Sequence, residues 1–212
     1  MGSEVFILNK GLCDYEMAFS QMLSFTVNRV TDSGDEIWLL QHPPVFTQGT
    51  SCKELPLVQG EHIPVVHTDR GGQITYHGPG QLICYLLLDI KRLGFGPKEL
   101  VNRTEQALID LLGQYQISAS RKKGAPGVYV KDEKIAALGF RIKKGRCYHG
   151  LSLNVDMDLT PFEWINPCGY KGQAVTQMKT VLKDTDHNSD IKTVSNRLLG
   201  QVCREFGFSM KS

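Results

Sequence analysis

A chain of 212 residues is long enough to bury a core without disulfides or a metal, and short enough to be read as one domain over 1–212. Its 24 Lys and Arg against 22 Asp and Glu leave +2, which argues against nucleic acid or an anionic membrane as the main partner. No apolar run approaches the roughly 20 residues of a membrane span, and no cationic segment leads into a long apolar one at the N-terminus, so a soluble, cytosolic protein is expected.

In chain order, Val5 to Leu8 predicts a short strand. Asp14 predicts the N-cap of a helix to about Val30, with Tyr15, Ala18, Phe19, Met22, Leu23, Thr26 and Val27 at core-facing spacing. Glu36 to Leu40 predicts a strand that stops at His42-Pro43-Pro44, where His42 either meets a ligand or hydrogen-bonds within the turn. Thr47 to Glu61 reads as a polar loop, and Ile63 to Thr68 as a short strand near an edge because of Pro64. Leu82 to Ile90 is apolar on both parities, the pattern of a central strand covered on both faces. Gly96-Pro97 opens a helix whose stripe is Leu100, Val101, Thr104, Ala107, Leu108, Leu111 and Leu112.

Further on, Arg121 to Gly124 reads as a basic loop, and Val128 to Val130 and Lys134 to Ile142 as a hairpin. From Cys147 to Val155 and beyond, Leu151, Leu153, Val155, Met157 and Leu159 alternate with Ser152, Asn154, Asp156 and Asp158, predicting an antiparallel strand with one buried face. Phe162 to Tyr170 is a compact loop, Val175 to Leu182 a strand or short helix, and Asp184 to Asp190 a polar, exposed stretch. A last helix runs from about Thr193 to Phe206 and stops at Gly207. Strands in meanders with single helices between them give an α+β fold with a mixed, largely antiparallel sheet and flanking helices.

Between two of the apolar runs lies Arg70-Gly71-Gly72-Gln73-Ile74-Thr75-Tyr76-His77-Gly78-Pro79-Gly80-Gln81. Glycines there cost entropy and add no packing, so they fit a place where main chain must come close to a ligand. The stretch matches neither nucleotide-binding glycine motif, and with Ala136, Ala137 and Gly139 it suits a groove for a long uncharged chain. The six cysteines show no Cys-x-x-Cys and no paired Cys/His spacing, so no structural metal is expected, and with no nucleotide motif no cofactor is expected either; Cys147 and His149, two apart, would share a strand face.

Cys168 differs from the other cysteines, because Pro167 and Gly169 would present its sulfur at a bend. A thiol needs a neighbouring base or cation to act as a nucleophile at neutral pH. Lys134, entering an apolar strand, could be a desolvated base or a hairpin-end lysine in water; His77 and His149 are rival bases.

The stretch from Arg70 to Gln81, Lys134-Ile135-Ala136-Ala137-Leu138-Gly139, His149-Gly150-Leu151-Ser152-Leu153-Asn154 and Asn166-Pro167-Cys168-Gly169 together resemble the lipoyl(octanoyl) transferases, over essentially the whole chain. The resemblance implies the fold of the biotin and lipoate protein ligases, and transfer of an octanoyl group from acyl carrier protein to a lysine of a lipoyl domain. The acceptors it implies are those of 2-oxo acid dehydrogenase complexes or the glycine cleavage H protein. It implies Cys168 as the thioester-forming residue and Lys134 as its base. It also implies acyl-binding segments at Arg70, Gly71, Gly72, Gln73, Ile74, Thr75, Tyr76 and His77, at Ala137, Leu138 and Gly139, and at Gly150, Leu151 and Ser152. The alternatives are an ATP-dependent lipoate protein ligase, which would not need the cysteine, and a non-catalytic carrier-protein binding module using Arg121, Lys122, Lys123, Lys143, Lys144 and Arg146.

Overall fold

The computed structural model describes residues 3–30, 32–52, 62–165, 173–182 and 188–211. Eleven strands and four α-helices follow in the order β1 (Ser3–Leu12), α1 (Tyr15–Asn28), β2 (Asp35–Gln41), β3 (Val45–Gln48), β4 (Val65–His67), β5 (Ile74–His77), β6 (Gln81–Asp89), α2 (Pro97–Gln114), β7 (Ser120–Lys122), β8 (Ala125–Val130), β9 (Glu133–Lys143), β10 (Arg146–Asn154), α3 (Met178–Leu182), α4 (Ile191–Phe206) and β11 (Phe208–Lys211), counted among the described residues. Eight strands form one sheet in the order β11-β1-β2-β6-β10-β9-β8-β7, and β4-β3-β5 form a second. Pairings β1–β2, β1–β11 and β3–β4 are parallel and the others antiparallel, the mixed sheet of the α+β reading.

β6 lies inside the large sheet and is buried along nearly its whole length. Leu82, Cys84, Leu86 and Leu88 pack with α2 and α4, while Ile83, Tyr85 and Leu87 pack with Ala18 and Met22 of α1. The side chains alternate because strand residues point to opposite faces, so a strand covered twice must be apolar on both parities. The helix ends follow local chemistry. Asp14 accepts the Met17 amide at 3.0 Å, Pro97 starts α2, Asp190 accepts the amides of Lys192 and Thr193, and Gly207 closes α4 in the left-handed region at φ 70°. The Asp190 cap starts α4 two residues earlier than the apolar stripe indicates.

Several expectations need correction. The loop expected from Thr47 is preceded and entered by β3, which pairs with both β4 and β5, and residues 53–61 of it lie outside the described residues. The basic loop overlaps β7 at Arg121 and Lys122, and the glycine-rich stretch contains β5. β11 was not expected, since only Phe208 in it is buried; it joins the sheet by parallel pairing with β1. Leu23 and Val27 of α1 face outward. In β10 the polar residues Ser152 and Asn154 are buried as well, because the second face borders a cavity instead of water.

Candidate active site

The cavity of about 380 Å³ lies beneath residues 70–77 and along β9 and β10, a size within the usual range for small-molecule sites. Arg70 to Thr75, His77, Lys134, Ala137 to Gly139 and Gly150 to Ser152 all line it. Tyr76 does not. It turns into the core of the small sheet, with its ring centroid 5.5 Å from Phe46 and 5.6 Å from Phe162. Cys168 lies outside the described residues, as does the whole Asn166 to Gly169 motif.

Glycine is required where the walls meet. Gly139 and Gly150 stand opposite each other in the β9–β10 ladder. A Cβ on Gly150 would fall 2.1 Å from the Cys84 carbonyl oxygen, and one on Gly139 would be 3.1 Å from that of Gly71. The Gly71 amide also donates to the Phe140 carbonyl at 3.0 Å, which fastens the 70–73 loop to β9. Main chain therefore forms much of this wall, as the glycine pattern predicts.

Several polar side chains of the wall are spent on each other. Arg70 donates to Thr47 Oγ1 through Nε at 3.1 Å and Nη2 at 2.8 Å, and to the carbonyls of Gly71 and Gln73. Thr47 Oγ1 lies 3.3 Å from His77 Nε2, His77 Nδ1 2.7 Å from Gln81 Oε1, and Gln81 Nε2 donates to Asn154 Oδ1 at 2.9 Å. Asn154 Nδ2 ends the chain on the Thr176 carbonyl at 2.9 Å. A guanidinium can only donate and a carbonyl can only accept, so the direction of the whole relay is fixed. Thr47 donates to His77 Nε2, and His77 is the neutral Nδ1–H tautomer, its pKa pushed down to about 3 chiefly by burial.

His42 is settled in the same way. Nδ1 donates to the Cys13 carbonyl at 2.6 Å, Nε2 accepts from the Tyr85 hydroxyl at 2.7 Å, and burial pushes the pKa to about 4. It holds the turn and does not line the cavity. His149 sits in the left-handed region at φ 59° and turns its ring onto Tyr148, 5.0 Å between centroids, so it does not share a strand face with Cys147, whose thiol is in the opposite core. Its Nε2 lies 3.1 Å from Asp69 Oδ1, and burial lowers its pKa against the opposing pull of that carboxylate.

Lys134 is buried, at 6% exposure, which excludes the reading of a hairpin-end lysine in water. Between the pairs Ala136–Val128 and Lys134–Tyr129, β9 carries one residue more than β8. This bulge at Ile135 puts Ile135 and Ala136 into the same core cluster and re-aims Lys134. The amine donates to the Pro126 carbonyl at 3.4 Å and lies 5.4 Å from the Tyr129 ring centroid. Its main chain is stitched to the segment after residue 172: Lys134 N donates to Ala174 O, and Thr176 N to Lys134 O, both at 2.9 Å.

Sequence reasoning did not single out Tyr15, Ile83, Tyr85, Pro126, Phe140 or Asn154 as lining residues. For Ile83 and Tyr85 a signal was present, since they share a parity that the sheet register places beside Ser152 and Gly150. Of the basic loops, Arg121 pairs with Glu105 at 3.0 Å and Lys122 with Asp132 at 2.8 Å, so those cations serve the fold. Lys143 and Lys144 are exposed at the far end of the β9–β10 hairpin.

Comparison with known proteins agrees with this geometry. The lipoyl protein ligase A/B catalytic domain family matches residues 14–202. An octanoyltransferase of Stutzerimonas stutzeri is 53% identical over 100% of this chain and 94% of its own length. One from Chromobacterium violaceum is 58% identical over 97% of this chain and 98% of its own. Among solved structures, a lipoate-protein ligase A bound with ATP superposes with a TM-score of 0.78 at 13% identity, covering 100% of this chain and 88% of its own, which shows the shared fold. With the fold, the glycine-walled cavity and this degree of identity in agreement, the chain belongs to the octanoyltransferase family.

Proposed function

We propose that octanoyl transfer by this chain runs through a thioester on Cys168, with Lys134 as proton acceptor, acyl carrier protein as donor and a lipoyl-domain lysine as acceptor. The observation that carries the reading is the burial of Lys134 at the cavity, with Ala174 and Thr176 bonded to its main chain only a few residues after Cys168. Ile165, on the other side of Cys168, is anchored in the small-sheet core with Ile74, a cavity residue. On either side of the cysteine segment, Phe162 and Val175 line the same cavity as Lys134, which supports a reaction between the two residues. Burial disfavours an ammonium and so favours the neutral amine that a base requires.

In this reaction Lys134 Nζ takes the proton of the Cys168 thiol, and the thiolate attacks the carbonyl carbon of the donor thioester. The carbon–sulfur bond to the carrier's thiol breaks, and the proton returns to that leaving thiolate. The acceptor amine then attacks the Cys168 thioester, Cys168 thiolate leaves, and the proton lost by the amine is carried by Lys134 back to sulfur. The octanoyl chain lies in the cavity whose wall includes the main chain of Gly71, Gly139 and Gly150.

Intact-mass measurement after incubation with octanoyl carrier protein tests the route. One octanoyl group is expected on the wild type and none on Cys168→Ala. A wild-type protein that stays unmodified while still transferring octanoate rules out the covalent route. Transfer is expected without ATP or magnesium, and an absolute need for them would favour the ligase reading.

A further inference from the structure

Glu105 is a buried carboxylate, 5% exposed, on the core-facing side of α2 among Leu100, Thr104, Ala107 and Leu108. Such a group is costly unless both oxygens are paired and hydrogen-bonded. Oε2 accepts from Arg121 Nε at 3.0 Å, and Arg121 is itself pinned to α2 through the Asn102 carbonyl at 2.8 Å and Gln106 Oε1 at 3.0 Å. Oε1 accepts the Gly127 amide at 2.9 Å. Gly127 in turn lies against the lysine stem. Its φ is +136°, and a Cβ there would stand 3.2 Å from Lys134 Cε and 2.8 Å from the Ala136 carbonyl oxygen. The carbonyl just before it, that of Pro126, accepts from Lys134 Nζ at 3.4 Å.

We infer that Glu105 is a positioning residue for Lys134: held by Arg121, it fixes the Pro126–Gly127 main chain that cradles the amine and keeps water from it. The inference rests on the reading of Lys134 as the proton acceptor. Glu105 does not itself line the cavity; it acts through two main-chain groups, which gives this buried charge a purpose that packing alone would not.

The test is the single-turnover rate of octanoyl-enzyme formation against pH for the wild type, Glu105→Ala, Glu105→Gln, Arg121→Ala and Lys134→Ala, with the thermal midpoint of each. In Glu105→Ala the freed Pro126–Gly127 segment admits water, the ammonium is better solvated, and the acid limb of the profile moves to higher pH. The rate falls about tenfold at pH 7 and recovers on the alkaline plateau. Glu105→Gln, which keeps an oxygen for the Gly127 amide, returns the limb to the wild-type position. Arg121→Ala, changed at a partly exposed residue, shifts it in the same direction as Glu105→Ala and by less, and decides the matter if Glu105→Ala does not fold. An unmoved acid limb, or a loss equal at every pH, overturns the proposal. If Lys134→Ala acylates at the wild-type rate, the base reading fails and the positioning role with it; if Lys134→Ala is slow while the Glu105 and Arg121 variants keep the wild-type limb, the positioning role alone fails.

Discussion

Along the 70–81 side of the cavity Arg70, Thr47, His77, Gln81 and Asn154 form a directed relay that consumes the donors and acceptors the sequence offers as chemistry. Elsewhere in the lining the bulge at Ile135 turns Lys134 inward to a main-chain carbonyl at 3.4 Å beside an aromatic ring. The contrast shows that reactive residue types in a motif identify a site without identifying its chemistry. Arg70 and His77 are the striking side chains of the glycine-rich stretch, yet their polar atoms hold the wall, while a lysine at a hairpin end is the group placed in apolar surroundings. Surroundings, more than residue type, mark out Lys134 as the candidate here.

The largest test of that contrast is Lys134→Ala, for which a loss of about a hundred- to ten-thousand-fold in octanoyl transfer is expected, with the thermal midpoint little changed. Near-normal transfer would erase the distinction between the two sides. Next is the pH dependence of stability, carried by His77 in the wall and by His42, whose ring lies 5.9 Å from it. His42 at about 4 and His77 at about 3 are held well below the ordinary histidine value near 6.5 by burial. The unfolded chain therefore binds protons that the folded chain does not. Their contribution is complete above about pH 7 and is lost as pH falls below 6.5 toward those folded values, at about 2 kcal/mol for each histidine by pH 5. Denaturant midpoints measured from pH 7.5 to pH 5 should fall accordingly, and a flat response would mean that these two histidines are not locked in the neutral form.

Much of this was legible in the sequence wherever a physical demand fell on neighbouring residues. β6 showed itself by being apolar on both parities, α2 by Gly96-Pro97, and α4 by its stripe and Gly207. The cavity wall showed itself through glycines, because close approach of main chain leaves no other residue type. What was hidden depends on pairing between distant segments. β11 is a strand only because β1 lies beside it, and the bulge at Ile135 exists only in the register against β8. Ser152 and Asn154 read as a wet face because a periodicity cannot tell a cavity from solvent. Glu105 went unremarked on a helix face whose other members are Leu, Thr and Ala, since its partners are 16 and 22 positions away.

The finest test separates the two sides by a single ring. In His77→Asn the side-chain amide can still donate to Gln81 Oε1, as His77 Nδ1–H does at 2.7 Å, but it cannot reach as far as Nε2 to take the Thr47 hydroxyl. Thr47 remains held by two nitrogens of Arg70, so the wall should keep its shape at a cost of about 1 kcal/mol for the hydrogen bond lost. Octanoyl transfer should then stay within about tenfold of the wild type, because no proton in flight is assigned to this ring. A proton acceptor at position 77 would behave otherwise: the rate would collapse while the fold persisted, and the acid limb of the profile would vanish with the imidazole. That outcome would move the chemistry to the relay and leave Lys134 as the scaffold.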